Sequence, residues 1–81
     1  MVYVYALKNN INSELYVGIS ENLVRRLKEH NSGKNRYTKA FIPWDFFYQE
    51  ELSDYASARK REIFLKNAAG KKFLKNILEH S

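Results

Sequence analysis

An α+β fold is predicted, with a small three-stranded antiparallel or mixed sheet flanked by three helices in the order ββαβαα. Two observations predict it: the chain opens with the alternating pattern of a β-hairpin, and later segments repeat apolar residues at helical spacing. The chain has 81 residues, enough for one domain, so we expect a single domain over residues 1–81. It has no cysteine, which excludes disulfides and cysteine-ligated zinc.

The first two strands are predicted over residues 2–7 and 14–19, where β-branched and aromatic side chains alternate with others. Asparagines between them favour a turn, so the two strands should form a hairpin. A symmetric turn would place Tyr5 directly opposite Tyr16, and opposed residues share a face of the sheet.

The middle of the chain predicts a helix, a loop and a strand. Ser20 is the expected N-cap of a helix from residue 21 to residue 30 or 31. A basic loop should follow over residues 33–43, and a third strand over residues 45–51, led by Trp44.

The last third predicts two helices. Ser53 or Asp54 should cap a helix over residues 55–69, which Gly70 is expected to break. Apolar residues at helical spacing then predict a final helix over residues 71–79.

Glu62 interrupts an apolar stripe of the predicted second helix. At about 100° per residue it shares a face with apolar neighbours on both sides. Those neighbours are Tyr55, Ala58, Leu65 and Ala69. A carboxylate there needs a cation, a metal ion or hydrogen bonds. The alternatives are a metal-binding role, an ion pair with Arg59 or Lys66, or a boundary position in contact with water.

Two further pairs are candidates for chemistry. Arg26 and His30 lie four residues apart beside the apolar side of their helix, where a phosphate-binding fork and a proton-transferring group could line a cleft. Tyr5 and Tyr16 could orient a water molecule, with Gly18 leaving room for a ligand. The alternatives are a basic surface helix and ordinary half-buried strand tyrosines.

The chain carries 14 Lys and Arg against nine Asp and Glu, a net charge of +5, which suits a polyanionic partner or simply solubility. Three cations of the predicted loop, Lys34, Arg36 and Lys39, surround Tyr37, a mixture typical of nucleic-acid contacts or of a solvated loop. The apolar stretches are too short to cross a membrane, and a signal-peptide pattern is absent, so we expect a cytoplasmic location.

Together these residues resemble the GIY-YIG nuclease superfamily, in its short single-domain branch. The triplets Tyr3-Val4-Tyr5 and Tyr16-Val17-Gly18 correspond to the two family motifs. Arg26 and His30 follow at the matching spacing, and Glu62 lies on a later helix. The first motif has Tyr3 in place of the usual glycine.

The resemblance implies roles for five catalytic residues. Glu62 would bind one divalent cation, Mg²⁺ or Mn²⁺, and Arg26 would stabilise charge on the phosphate. Tyr5 and Tyr16 would position the attacking water, and His30 would hydrogen-bond a tyrosine or relay its proton. Some relatives carry a lysine where this chain has Ile19, so the base would be Tyr5, Tyr16 or His30.

The implied activity is endonucleolytic hydrolysis of phosphodiester bonds, on DNA rather than RNA, in repair or structure-directed cleavage. Lys34, Arg36 and Lys39 would bind the nucleic acid. Larger relatives carry separate recognition domains, so we expect weak or structure-based selectivity unless a protein partner supplies targeting. Two alternatives remain: a nucleic-acid-binding module with little turnover, and a small domain that binds other proteins.

Overall fold

The sheet of this protein is antiparallel throughout, with strand order β2-β1-β3. The computed structural model describes residues 1–12, 14–36 and 38–80. The elements follow the predicted ββαβαα order: β1 (Val2–Asn9), β2 (Leu15–Ser20), α1 (Leu23–Asn31), β3 (Trp44–Leu52), α2 (Tyr55–Lys66) and α3 (Ala68–Glu79). The α+β prediction is confirmed, and a short 3₁₀ turn, Lys39–Phe41, lies within the segment predicted to be loop.

The central strand β1 is buried on both faces, and each face has its own apolar cluster. Val4 and Ala6 face one cluster, which α2 and α3 complete with Ala58, Leu65 and Leu74. Tyr5 and Leu7 face the other, together with Trp44 and the half-buried Leu23 and Leu27 of α1. Helix α1 therefore covers one face of the sheet, and α2 and α3 cover the other. Among the described residues, no helix is long and apolar enough to span a membrane.

The hairpin register differs from the symmetric one expected. Tyr5 pairs with Gly18, and Leu7 pairs with Tyr16. The cause is a wider turn ordered by Asn9, whose side-chain oxygen accepts hydrogen bonds from the backbone N–H groups of Ile11 and Asn12. The shift is two residues, an even number, so Tyr5 and Tyr16 still lie on one face.

The cap of the first helix also differs from the prediction. Asn22 caps α1 by accepting from the Arg25 N–H, so the assignment of Ser20 as N-cap was wrong. Ser20 is the last residue of β2, paired with Tyr3, and its hydroxyl accepts from the Asn22 N–H in the turn before the helix.

The boundary between the second and third helices lies earlier in the chain than expected. Asp54 caps α2 as predicted, by accepting from the Ser57 N–H. Helix α2 ends at Lys66, Asn67 caps α3, and Gly70 lies inside α3 instead of breaking a helix. A side chain at Gly70 would overlap the backbone of α2 at Phe64 and Leu65, so this glycine permits close contact between the two helices.

Candidate active site

Tyr5 is the centre of a buried hydrogen-bonded cluster on the α1 face. Its position in the middle strand leaves it fully buried, and its hydroxyl lies 3.0 Å from His30 Nε2. Arg26 Nε donates to the same hydroxyl oxygen at 3.2 Å. Arg26 and His30 are one helical turn apart on α1, so both reach Tyr5 from the same side. The structure thus brings together three of the five residues predicted to be catalytic.

The second nitrogen of His30 has a partner that sequence reasoning missed. His30 Nδ1 lies 3.0 Å from Oγ1 of Thr38, and both residues are fully buried. Trp44 Nε1 donates to the Thr38 carbonyl at 2.7 Å, which fixes this threonine between α1 and β3. A buried histidine needs partners for both ring nitrogens, and a threonine within the predicted basic loop is the one signal that could have found it.

The donor and acceptor roles in this cluster follow from Arg26, whose guanidinium can only donate. The Tyr5 oxygen accepts from Arg26, so its own proton needs an acceptor, and His30 Nε2 is the one within reach. A neutral imidazole carries one N–H, which therefore lies on Nδ1 and donates to Thr38. The result is a relay from guanidinium to phenol, imidazole and hydroxyl.

The ionisation states of the cluster are set mainly by burial. Burial, followed by the charge of Arg26, lowers the pKa of His30 to about 4, so the imidazole is neutral at pH 7. Burial also raises the pKa of Tyr5 to about 12, outweighing the hydrogen bond from Arg26. The bond with the Tyr5 phenol raises the pKa of Arg26 above its usual range. At rest the cluster holds a phenol, a neutral imidazole and one guanidinium.

Tyr16 joins the cluster through ring contacts. Its ring centroid lies 4.6 Å from that of His30 and 6.3 Å from that of Tyr5. Unlike Tyr5, Tyr16 is only half-buried. Gly18 lies under the Tyr5 ring, and a Cβ there would be 2.6 Å from the Tyr5 hydroxyl oxygen. The space predicted for a ligand at Gly18 is therefore filled by Tyr5 itself.

Glu29 is a second residue that the sequence did not single out. Its Oε2 lies 3.1 Å from Nη1 of Arg26, and its Oε1 lies 3.5 Å from Nε of Arg25. The Arg26 side chain is 33% exposed, so one edge of the guanidinium faces Tyr5 and the other meets Glu29 near solvent. A phosphate could replace the carboxylate of Glu29 at that outer edge.

Glu62 lies on α2, which covers the opposite face of the sheet from α1. The carboxylate is buried as predicted, but the stripe is shorter than predicted, since Tyr55 is exposed. Arg59 holds one of its oxygens, and Lys66 Nζ lies 3.0 Å from the other. The sequence offered a metal ion or an ion pair as the partner of this carboxylate, and the structure shows two ion pairs.

A metal ion at Glu62 would need ligands from elsewhere. Within residues 1–12, 14–36 and 38–80, no group of three or more His, Cys, Asp or Glu side chains could hold one. A buried carboxylate balanced by two mobile cations still fits an ion that keeps its waters and shares phosphate oxygens of a substrate.

The cations of the predicted basic loop are all exposed. Lys34, Arg36 and Lys39 flank Thr38, the residue that holds His30, so the loop is anchored to the buried cluster. The predicted contribution of Tyr37 lies outside the described residues.

A groove lies at the free edge of β2. It has a volume of about 570 Å³ and lies between β2 and the pair α2–α3. Tyr16 lines it, as does Lys66, the partner of Glu62. The groove therefore adjoins one residue of the cluster and one cation partner of Glu62.

Two comparisons with known proteins find matches that cover most of this chain. The family model of the GIY-YIG catalytic domain matches residues 1–76. A UPF0213 protein of Staphylococcus haemolyticus is 40% identical over 78 residues, which is 95% of this chain and 94% of the relative. UPF0213 proteins of Bacillus licheniformis and Streptococcus agalactiae are 37% and 32% identical, over 85% and 96% of this chain and 71% and 89% of theirs. No solved structure gives a significant match.

Proposed function

We propose that this chain, which belongs to the GIY-YIG catalytic domain family, is a divalent-metal-dependent endonuclease that hydrolyses phosphodiester bonds, in DNA rather than RNA. Membership of the family implies nuclease activity, and nucleases of this family generally use divalent metal ions. The observation that carries the proposal is the buried relay of Arg26, Tyr5, His30 and Thr38 beside an exposed basic loop.

Arg26 would bind the phosphate that is cut. Its guanidinium is held in place by Tyr5 and is partly exposed on the side where Glu29 lies. When a phosphate displaces Glu29, the planar fork can donate two hydrogen bonds to its oxygens. Charge that grows on these oxygens in the transition state is then stabilised by a donor that is already oriented.

The tyrosines would divide the remaining work. Tyr5 is fully buried and its pKa is about 12, so it orients Arg26 and His30 instead of ionising. Tyr16 is half-buried beside His30 and is the better of the two to contact the attacking water. The water oxygen would bond to phosphorus as the P–O3′ bond breaks. The proton that the water loses would pass to Nε2 of the neutral His30, and the leaving 3′ oxygen would take one from solvent.

Glu62 would hold the metal ion, with waters and phosphate oxygens as the other ligands. Such an ion neutralises phosphate charge and stabilises the leaving oxygen. Arg59 and Lys66 balance the carboxylate in the meantime and are exposed enough to move away.

One observation favours the second candidate, a nucleic-acid-binding module with little turnover. Both oxygens of Glu62 are engaged by cations, and α2 lies across the sheet from the cluster. Such a module would keep the basic loop and need no metal. A role in repair, a targeting partner and a cytoplasmic location stay predictions of the sequence.

The deciding experiment is cleavage of labelled single-stranded, duplex and branched DNA and of RNA, with Mg²⁺, Mn²⁺ or EDTA. Arg26→Ala and Glu62→Gln should each abolish metal-dependent cleavage. Arg25→Ala and Glu79→Gln, at exposed positions on α1 and α3, serve as matched controls. Salt-sensitive binding without cleavage of any substrate, unchanged in Glu62→Gln, would establish the binding module instead.

A further inference from the structure

The groove at the edge of β2 has a surface chemistry of its own. Three lysines line it: Lys66 at the end of α2, and Lys71 and Lys75 one turn apart on α3. Its accessible apolar lining includes the half-buried Leu15, and the exposed Glu14 also lines it. Three lysines beside an apolar side chain suit a polymer that has both charged and apolar surfaces.

The two lysines of α3 are available for a ligand. Within the described parts of the chain, the ion pairs involve other residues, and neither Lys71 nor Lys75 takes part in one. Both side chains are exposed. Their spacing of four residues places them on one side of the helix, facing the same groove.

The groove shares two lining residues with the candidate active site. Tyr16, whose ring touches His30, and Lys66, which holds Glu62, both line it. A ligand in the groove would therefore contact Tyr16 and Lys66, one from each part of the site. Lys34, Arg36 and Lys39 are on the loop beyond α1 and do not line this groove.

We infer that this groove binds one unpaired strand of nucleic acid next to the bond that is cut, with phosphates at Lys71 and Lys75. This inference rests on the proposed function, whose substrate it narrows to nucleic acid with a single-stranded flank. A volume of about 570 Å³ is in the range of small-ligand sites and is too small for a double helix. Only an unpaired strand exposes base faces that can pack on an apolar side chain such as Leu15.

The test is the salt dependence of binding to labelled single-stranded DNA, measured by fluorescence anisotropy in EDTA so that no cleavage occurs. The plot of log affinity against log salt has a negative slope. Lys71→Gln/Lys75→Gln should make this slope shallower by about 1.4, since each phosphate contact of a single strand contributes about 0.7 to its magnitude. Lys60→Gln/Lys72→Gln removes the same charge from exposed positions outside the groove, and should leave the slope near that of the unmodified chain.

Several outcomes would overturn the inference. Equal changes in the two double variants would mean that net charge, and not the groove, attracts the nucleic acid. An equal loss of duplex binding would contradict the unpaired strand. Displacement by an acidic peptide as effective as by an oligonucleotide of the same charge would assign the groove to a protein segment.

The failure of the groove and the failure of the nuclease can be told apart. A chain that binds nucleic acid through the groove but cuts nothing would overturn the proposed nuclease activity alone. Cleavage with an unchanged salt slope in Lys71→Gln/Lys75→Gln would overturn the proposed role of the groove alone.

Discussion

On the α1 face of the sheet, polar side chains are satisfied by one another, whereas on the α2 face a buried charge is satisfied by groups that reach in from solvent. Tyr5, His30 and Thr38 are fully buried and bonded in sequence to Arg26. Glu62 is bonded instead to Arg59 and Lys66, whose side chains are 60% and 53% exposed.

The α1 cluster therefore depends on the shape and position of its side chains, whereas the Glu62 site depends mainly on the charge of its partners. The hydrogen-bonding atoms of the α1 cluster have their partners at fixed positions, so a change of shape at constant charge should disrupt it. The cations around Glu62 are long, exposed side chains that each contact one carboxylate oxygen, so one should be able to replace another. The two halves should therefore respond differently to the same substitution.

The largest expected effect is that of replacing arginine by lysine on the α1 face. Arg26→Lys keeps the charge but loses the Nε donor that reaches Tyr5 and the fork that would bind phosphate. We expect the cleavage rate to fall by about 10²-fold, the order seen when one oriented transition-state donor is removed. Single-turnover cleavage on a matched substrate measures it.

The matched substitution on the other face is Arg59→Lys. It should change the rate less than about twofold, because lysine keeps the charge at an exposed position and Lys66 stays in contact with the other oxygen. Equal losses in the two variants would mean that charge alone holds the α1 cluster. Equal retention would remove Arg26 from the phosphate site.

The pH dependence of stability should also distinguish the faces. His30 has a folded pKa of about 4, below the unfolded value near 6.5, so the unfolded chain binds more protons between these values. Stability is therefore full above about pH 6.5 and falls as the pH drops towards 4, by roughly 3 kcal/mol in all. Urea unfolding at a series of pH values measures this loss.

The chain has two histidines, which supplies the control. His30→Gln should remove this part of the pH dependence, leaving the slope due to carboxylates. His80→Gln, at an exposed position after α3, should keep it. A wild-type curve that matches His30→Gln between pH 4.5 and 6.5 would refute the buried neutral imidazole.

The elements were predictable because each depends on local pattern, but their boundaries depend on contacts between elements. Alternation and helical spacing gave the ββαβαα order. The end of α2 was misplaced because Gly70, a frequent helix terminator, is required here by the neighbouring backbone of Phe64 and Leu65. That requirement appears only when α2 and α3 are packed together.

The same distinction between local pattern and long-range contact applies to the candidate site. The pairing of Arg26 with His30 followed from helical spacing, and Tyr5 and Tyr16 kept a common face although the register shifted by two residues. Thr38 could not be found from pattern, because its role depends on a contact with His30 across the fold. The two cations that contact Glu62 were among the several kinds of partner that its position on α2 allowed.

A smaller effect is expected at Thr38. Thr38→Val keeps the shape but leaves the Nδ1–H of His30 without an acceptor, which should cost about 1–3 kcal/mol of unfolding free energy. Cleavage should fall as well, because the imidazole is no longer held in one tautomer. Thr38→Ser, which restores the hydroxyl, should recover the pH–rate profile of the unmodified chain. Recovery of stability but not of this profile would limit Thr38 to a packing role.

The smallest expected effect is the loss of one cation beside Glu62. Lys66→Gln leaves Arg59 in contact with the buried carboxylate, and the lysine itself is largely exposed, so the unfolding free energy should change by less than about 1 kcal/mol. Lys60→Gln, on the same helix at an exposed position outside the groove, controls for net charge. A loss of several kcal/mol in Lys66→Gln alone would show that Glu62 is held as rigidly as Tyr5. The contrast between a fixed face and an exchangeable one would then fail.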